Sequence, residues 1–500
     1  MPGAPLCPPT RERTPHVPGS PPPARDTTPH VPGLPRRPLS PNLALDQLVH
    51  ERRAAGESLV HLAFGEARLP LLPGLARALV EGAGRTSYGP VAGRADAREA
   101  VAGYFARRDL PTEADQIVLA PGSKPLLMAL QLTVPGDVLL PAPAWNTYAP
   151  QAAYAGKRAI AVPVPADCGG VPEPAALRAA LARSRAAGQK PASLVLTLPD
   201  NPTGTLAPPR LVREICALAR AEDLVVISDE IYRDVLHDPA GGYLSPAEVV
   251  PERTVVTTGL SKSLGLGGWR IGAARFPAGD LGRRLREGAL SAAGELWSTL
   301  AGPMQQVAAY AFAEPPEVVR RLRDAARLHG AVARAVHRIA LDAGALCRPP
   351  TGAFYVYPDF EPLRAELAAR GVTGSASLAR RLLDESGVVV LAGHLLGDAP
   401  HALRFKAATS LLYGDEHGQA EALAADDPVR LPHIAGQLAR IADAFAELTG
   451  RRPAPAPVHD PAPAHDVRRR AEPSRADDGD GERSPGRDPM KKSDVPEEAR

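Results

Sequence analysis

Residues 257–276 read TTGLSKSLGLGGWRIGAARF, and this stretch decides the fold. A β-branched run, TVVTT (254–258), stops just short of Lys262. A glycine-rich turn follows, and Arg270 stands eight residues after the lysine. The carboxyl end of a parallel strand opens onto the ligand crevice of its sheet, so an amine there is placed to form a Schiff base. Gly265, Gly267 and Gly268 allow backbone to approach a ligand closely, and Arg270 offers a two-pronged grip on phosphate. Read alone, a lysine near glycines is more often a surface residue. Lysine is scarce here, however: the chain has seven, at 124, 157, 190, 262, 406, 491 and 492, against a basic total of 58. Few residues compete with Lys262 for chemistry that needs an amine.

Outward from that segment, apolar stretches alternate with helical ones. QIVLA (116–120), DVLLP (137–141), SLVLTLP (193–199), LVVIS (224–228) and TVVTT are expected to be buried strands. Residues 172–188 and 208–222 carry helical periodicity between them. Such alternation predicts an α/β fold with a large domain over 72–315, built on a mostly parallel central sheet flanked by helices. Helices over 316–346 and 375–387, with TGAFYVYPDF (351–360) strand-like between them, suggest a second block. Together with 42–71 that block, 316–450, predicts a smaller α+β domain. Residues 432–449 read as a closing amphipathic helix with Ile434, Leu438, Ile441, Phe445 and Leu448 on one face, and 414–431 as a polar surface insertion. Residues 1–41 hold fourteen prolines and a repeat, TPHVPG at 14–19 and 28–33, and are expected to be a disordered tail. The charged segment 451–500 is expected to behave alike.

Composition narrows the class further. With 44% hydrophobic residues there is material for a large core, and a formal net charge of +2 gives no sign of a polyanion partner. Cys7, Cys168, Cys216 and Cys347 are scattered without metal-ligand spacing, so neither a disulfide framework nor a metal site is expected. No apolar run approaches the roughly 18 residues of a membrane span, and no signal sequence is evident at the N-terminus. A cytoplasmic protein is expected, with neither nucleic-acid nor membrane partners.

Further motifs occur in a recognisable order: SYGPVAG (87–93), APGSKP (120–125), PAPAWNTY (141–148), LPDNPTGT (198–205), ISDEIY (227–232), SKSLGLGGWRIG (261–272), TGAFYVYPD (351–359) and LRF (403–405). The chain from about Leu43 to about Gly450 resembles the class I/II aminotransferases of the fold-type I pyridoxal-phosphate enzymes. The resemblance implies that Lys262 carries pyridoxal 5′-phosphate and moves protons, while Asp229 faces the pyridine nitrogen. Asn201 and Tyr232 would bond the phenolic oxygen and Trp145 would stack on the ring. Gly122, Ser123, Ser261 and Arg270 would hold the phosphate at a helix start; Lys124 either joins them or faces solvent. Tyr88 would reach the phosphate of a second subunit, making the unit a homodimer. Gly65 and Arg404 would bind the substrate carboxylate, with Asn201 beside them.

There are departures from the family pattern. Gly259 replaces a frequent phosphate-binding serine, leaving Thr258 or Ser261 to supply the hydroxyl. Arg68 follows Gly65 in an unusual loop, and His394 lies where proline and an aromatic are common; each either meets substrate or faces solvent. The implied reaction is ping-pong transfer of an amino group between an amino acid and a 2-oxo acid. The motifs alone leave open another fold-type I reaction (lyase, synthase or oxidase). A DNA-binding regulator is disfavoured because 41 proline-rich residues are too few and too irregular for a helix-turn-helix.

Overall fold

In the computed structural model, which describes residues 40–451, the buried apolar stretches line up as neighbours in one seven-stranded sheet. In chain order the strands are β1 (Val60–His61), β2 (Ile117–Ala120), β3 (Asp137–Ala142), β4 (Ala159–Pro163), β5 (Pro191–Thr197), β6 (Val225–Asp229), β7 (Thr254–Gly259), β8 (Gly272–Arg275), β9 (Tyr355–Val356), β10 (Val388–Val389), β11 (Leu391–Ala392) and β12 (Phe405–Ala408). The large sheet has the order β2-β8-β7-β6-β5-β3-β4, and only β8 runs against the rest. Its central strands are buried on both faces, which is why they read as continuous apolar runs rather than alternating ones. The carboxyl ends of β2, β3, β5, β6 and β7 therefore share one edge, and that edge carries the site.

The helices include α1 (Pro41–Ala54), α2 (Ser123–Thr133), α3 (Pro174–Ala186), α4 (Pro209–Ala221), α5 (Pro316–Asp342), α6 (Glu416–Ala424) and α7 (Pro432–Thr449). Of these, α2 packs on one face of the large sheet and α3 and α4 on the other. Several begin with proline in the first turn, where the missing N–H costs nothing. A separate hydrophobic core unites Val60 and Leu62 with Leu328, Val332 and Val336 of α5, Phe405 of β12 and Phe445 of α7. The five apolar residues expected on one face of 432–449 are all buried.

Three local differences stand out. Within TGAFYVYPDF only Tyr355–Val356 pairs as strand. The polar stretch 414–431 contains α6, capped by the Asp415 side chain accepting from Gly418 N–H at 2.9 Å, with Ala422 buried in the core. Its polar residues form the exposed face of a helix whose Gly418 and Ala422 are buried. The expected tails lie outside the described residues, apart from Ser40, Pro41 and Arg451; Pro41 opens α1.

Candidate active site

β7 ends at Gly259, and a helical turn over Leu260–Ser263 carries Lys262 off the sheet edge. The Lys262 Nζ donates to the Gly65 carbonyl oxygen. Burial lowers its pKa to about 8, with Arg270 and Lys124 pushing the same way and Glu66 opposing. On the neighbouring strand β6, Asp229 is the last residue and is buried. Its carboxylate accepts from Tyr148 Oη at 2.8 Å and Thr257 Oγ1 at 3.1 Å. Burial still raises its pKa to about 6, the two hydroxyls resisting the shift. Thr197 and Thr257 flank Asp229 across the ladder, and Tyr148 Oη also meets Thr197 Oγ1 at 2.7 Å.

A second group gathers where β2 gives way to α2. Gly122 caps α2 with φ 91, a conformation open to glycine, and Ser123 begins the helix. Free N–H groups and the positive end of the helix dipole favour an anion there. Arg270 adopts a left-handed φ of 54, uncommon outside glycine. A Cβ on Gly122 would lie 2.3 Å from Arg270 Nη2, so the glycine makes room for the guanidinium. Gly272 is equally constrained: a Cβ there would lie 2.3 Å from the Gly122 carbonyl carbon and 2.5 Å from Ser123 N. Lys124 is 5.2 Å from the centre of the Trp145 ring, and its pKa is lowered by burial and by Arg270. Of the two hydroxyls left open after Gly259, Ser261 lines the cavity and Thr258 does not.

The remaining wall is polar and aromatic. Asn201 Nδ2 donates to Tyr232 Oη at 3.4 Å, and Tyr232 Oη meets Tyr355 Oη at 2.5 Å. Gly65 sits against Tyr355, whose Oη would be 2.3 Å from an added Cβ. All these residues line one cavity of ≈ 370 Å³. Its donor set fits pyridoxal 5′-phosphate. The cationic helix start suits a phosphate and Trp145 a ring face. Asp229 suits a protonated ring nitrogen, and the buried Asn201 Oδ1, which has no hydrogen-bond partner among the described residues, suits a ligand donor.

The structure thus brings Gly65, Ser123, Lys124, Trp145, Asn201, Asp229, Tyr232, Ser261, Lys262 and Arg270 to one cavity, with Gly122 behind Arg270. Others stay away. Arg404 does not line it: Nε donates to Asp359 at 2.8 Å and Nη1 to Asp398 at 3.2 Å, so two carboxylates hold the guanidinium aside. Tyr88 is 91% exposed and outside the cavity. Arg68 pairs with Glu66 at 2.8 Å on the surface, and His394 Nδ1 meets Ser375 Oγ at 2.8 Å; neither lines the cavity. Sequence reasoning assigned no role to Tyr148, Thr197, Glu66, Tyr355 or Lys406, all of which do. Tyr148 and Tyr355 lay inside quoted motifs, and Lys406 stands two residues after Arg404 on an extended segment, a spacing that puts both on one face. No cluster of three or more His, Cys, Asp or Glu suited to a metal occurs among the described residues.

Residues 57–411 match the sequence profile of the family described as aminotransferase class I and II. The aspartate/prephenate aminotransferase of Thermus thermophilus is 31% identical over 367 residues, covering 71% of this chain and 88% of that protein. A probable aspartate/prephenate aminotransferase of Thermus aquaticus is 31% identical over 66% of this chain and 85% of its own length. The solved structure of Thermus thermophilus aspartate aminotransferase with maleate superposes with a TM-score of 0.67 at 26% identity, covering 81% of this chain and 97% of the other.

Proposed function

The chain belongs to the class I and II aminotransferases, pyridoxal 5′-phosphate enzymes, and we propose that Lys262 is its cofactor-bearing and proton-moving residue. The observation that carries this reading is the convergence of Lys262 and Asp229, from adjacent strand ends, on one cavity whose far end is cationic. When bound, the cofactor supplies an electron sink that stabilises negative charge at the substrate Cα. The protein's own groups do the rest. Asp229 would hold a proton on the ring nitrogen, and its hydroxyl partners Tyr148 and Thr257 favour the ionised carboxylate against burial. Ser123, Ser261, Arg270 and the α2 start would hold the phosphate, with Lys124 adding charge. Trp145 would cover a ring face, and Asn201 and Tyr232 would orient the phenolic oxygen. Burial lowers the Lys262 pKa to about 8, so a fraction of the amine is neutral near physiological pH and Nζ could take a proton from substrate Cα.

The reading includes a two-stage, ping-pong transfer from an amino acid to a 2-oxo acid. The names of the Thermus aspartate/prephenate aminotransferases make aspartate the first donor and prephenate the first acceptor to assay. A donor and acceptor screen following cofactor absorbance and products tests this. Keto acid formed without ammonia supports transfer; keto acid with stoichiometric ammonia marks elimination instead.

We also propose a homodimer with shared sites. Tyr88 is almost fully exposed in the single chain, and Val80, Leu71 and Leu296 add apolar surface. Sedimentation gives the assembly state, and a hybrid of Tyr88→Ala with Lys262→Ala chains should retain one working site. We further propose that 42–71 and 316–450 form a smaller lobe, a reading supported by the separate core around α5 and α7.

A further inference from the structure

Every amino-acid or 2-oxo-acid substrate brings a carboxylate, and the cavity must hold a cation to meet it. Four cationic side chains line the cavity: Lys124, Lys262, Arg270 and Lys406. Lys124 and Arg270 lie by the α2 start, the end suited to phosphate, and Lys262 is committed to the cofactor. Arg404, the residue expected on family grounds to bind the carboxylate, is spoken for by Asp359 and Asp398. That leaves Lys406.

Its placement is built into β12. Phe405 and Ala407 turn into the hydrophobic core, so Lys406 turns the other way, into the cavity. The residue is 1% exposed. Its Nζ has no hydrogen-bond partner among the described residues and lies 4.9 Å from the centre of the Tyr355 ring. The carboxylate acting on it is the buried Asp200, whose Oδ2 already accepts from Thr203 N at 3.1 Å and Thr203 Oγ1 at 2.6 Å. Burial and the charge of Lys262 lower its pKa to about 7. A buried ammonium without a hydrogen-bonded counter-ion is costly, and one aimed into a binding cavity gains most from an anionic ligand. Tyr355 completes the subsite, since its hydroxyl is fixed by Tyr232 and faces Gly65.

We propose that Lys406, not Arg404, is the residue that binds the carboxylate common to all substrates of this enzyme. The proposal rests on the aminotransferase reading and deepens it: a single ammonium on the β12 face replaces a guanidinium fork. An ammonium makes a less directional contact than a two-pronged guanidinium, so the carboxylate is located by Tyr355 and Gly65 as well as by charge.

The test uses holoenzyme carrying its cofactor, as wild type and as Lys406→Met, Lys406→Arg and Arg404→Gln. Binding of 3-phenylpropionate and of succinate is measured by calorimetry, and each variant's half-reaction is followed with saturating series of amino acids. Removing one partner of a buried charge pair should weaken both ligands roughly 30-fold or more in Lys406→Met. The same variant should raise the half-saturating donor concentration more than it lowers the limiting rate. Lys406→Arg should recover part of the loss, while Arg404→Gln should bind both carboxylates within about threefold of wild type. Equal binding by Lys406→Met and wild type, or loss confined to Arg404→Gln, overturns the proposal. Loss for succinate alone also overturns it, because Lys406 would then serve a second, side-chain carboxylate. Wild type that binds both ligands in a Lys406-dependent way but transfers from no donor overturns the aminotransferase reading and leaves the carboxylate subsite standing.

Discussion

Tyr148 Oη lies 2.8 Å from Asp229 Oδ2 and, at the same time, 2.7 Å from Thr197 Oγ1, so one hydroxyl ties the end of β6 to the end of β5. The pair is fully buried, and a hydrogen bond to a charged group there contributes about 1.5–3 kcal/mol. Tyr148→Phe should therefore weaken cofactor binding by about 10- to 100-fold, measured by fluorescence titration of cofactor-free protein. The pH profile separates this from simple loss of packing. Asp229 has a pKa raised to about 6 in the cofactor-free protein, so cofactor affinity should fall as pH drops below about 6 and the carboxylate gains its proton. Without Tyr148 the pKa rises further, and the fall should begin at higher pH. An unchanged profile would mean that Asp229 does not meet the ring nitrogen.

Lys262 supplies a second pH signature. Only the neutral amine attacks a carbonyl, and burial brings its pKa down to about 8. The rate of covalent cofactor capture by cofactor-free protein should rise about tenfold per pH unit below about 8 and level off above it. Stopped-flow absorbance reads this directly. A rate still climbing near pH 10 would place the reacting lysine in water.

Gly272 tests the helix start. Its missing Cβ would meet backbone atoms of Gly122 and Ser123, which cannot swing aside like a side-chain tip. Gly272→Ala should cost about 1–3 kcal/mol of stability by overpacking. It should also lower phosphate-dependent affinity for the cofactor, while affinity for pyridoxal without phosphate changes less. Urea unfolding and paired titrations with the two forms of the cofactor measure both.

Much of this was legible in the sequence because the large sheet is buried on both faces: the runs ending near Thr197, Asp229 and Thr258 could hardly be other than central strands. Two strands of the large sheet escaped notice for physical reasons. β4 alternates buried and exposed residues at the sheet edge, and β8, GAAR, is made of small residues with little apolar signal. Motifs named Lys262, Asp229, Asn201 and Tyr232, and all four line the cavity. The site was not legible where the role depends on which way a side chain turns. Arg404 occupies the expected position, yet Asp359 and Asp398, 45 and 6 residues away in sequence, decide its direction. Lys406, two residues on, faces the cavity instead. Spacing put both on one face, but only the competing carboxylates say which of them enters.

Three lysines line the cavity, Lys124, Lys262 and Lys406, so the attachment point of the cofactor is the claim most open to direct contradiction. Reducing the holoenzyme with borohydride fixes the cofactor to whichever lysine bears it, and mass spectrometry of the digested chain identifies that residue. A single phosphopyridoxyl group is expected on the peptide containing Lys262, absent in Lys262→Ala protein that keeps the wild-type circular dichroism. The label on Lys124 or Lys406, or a reduced chain with no label, would contradict that assignment.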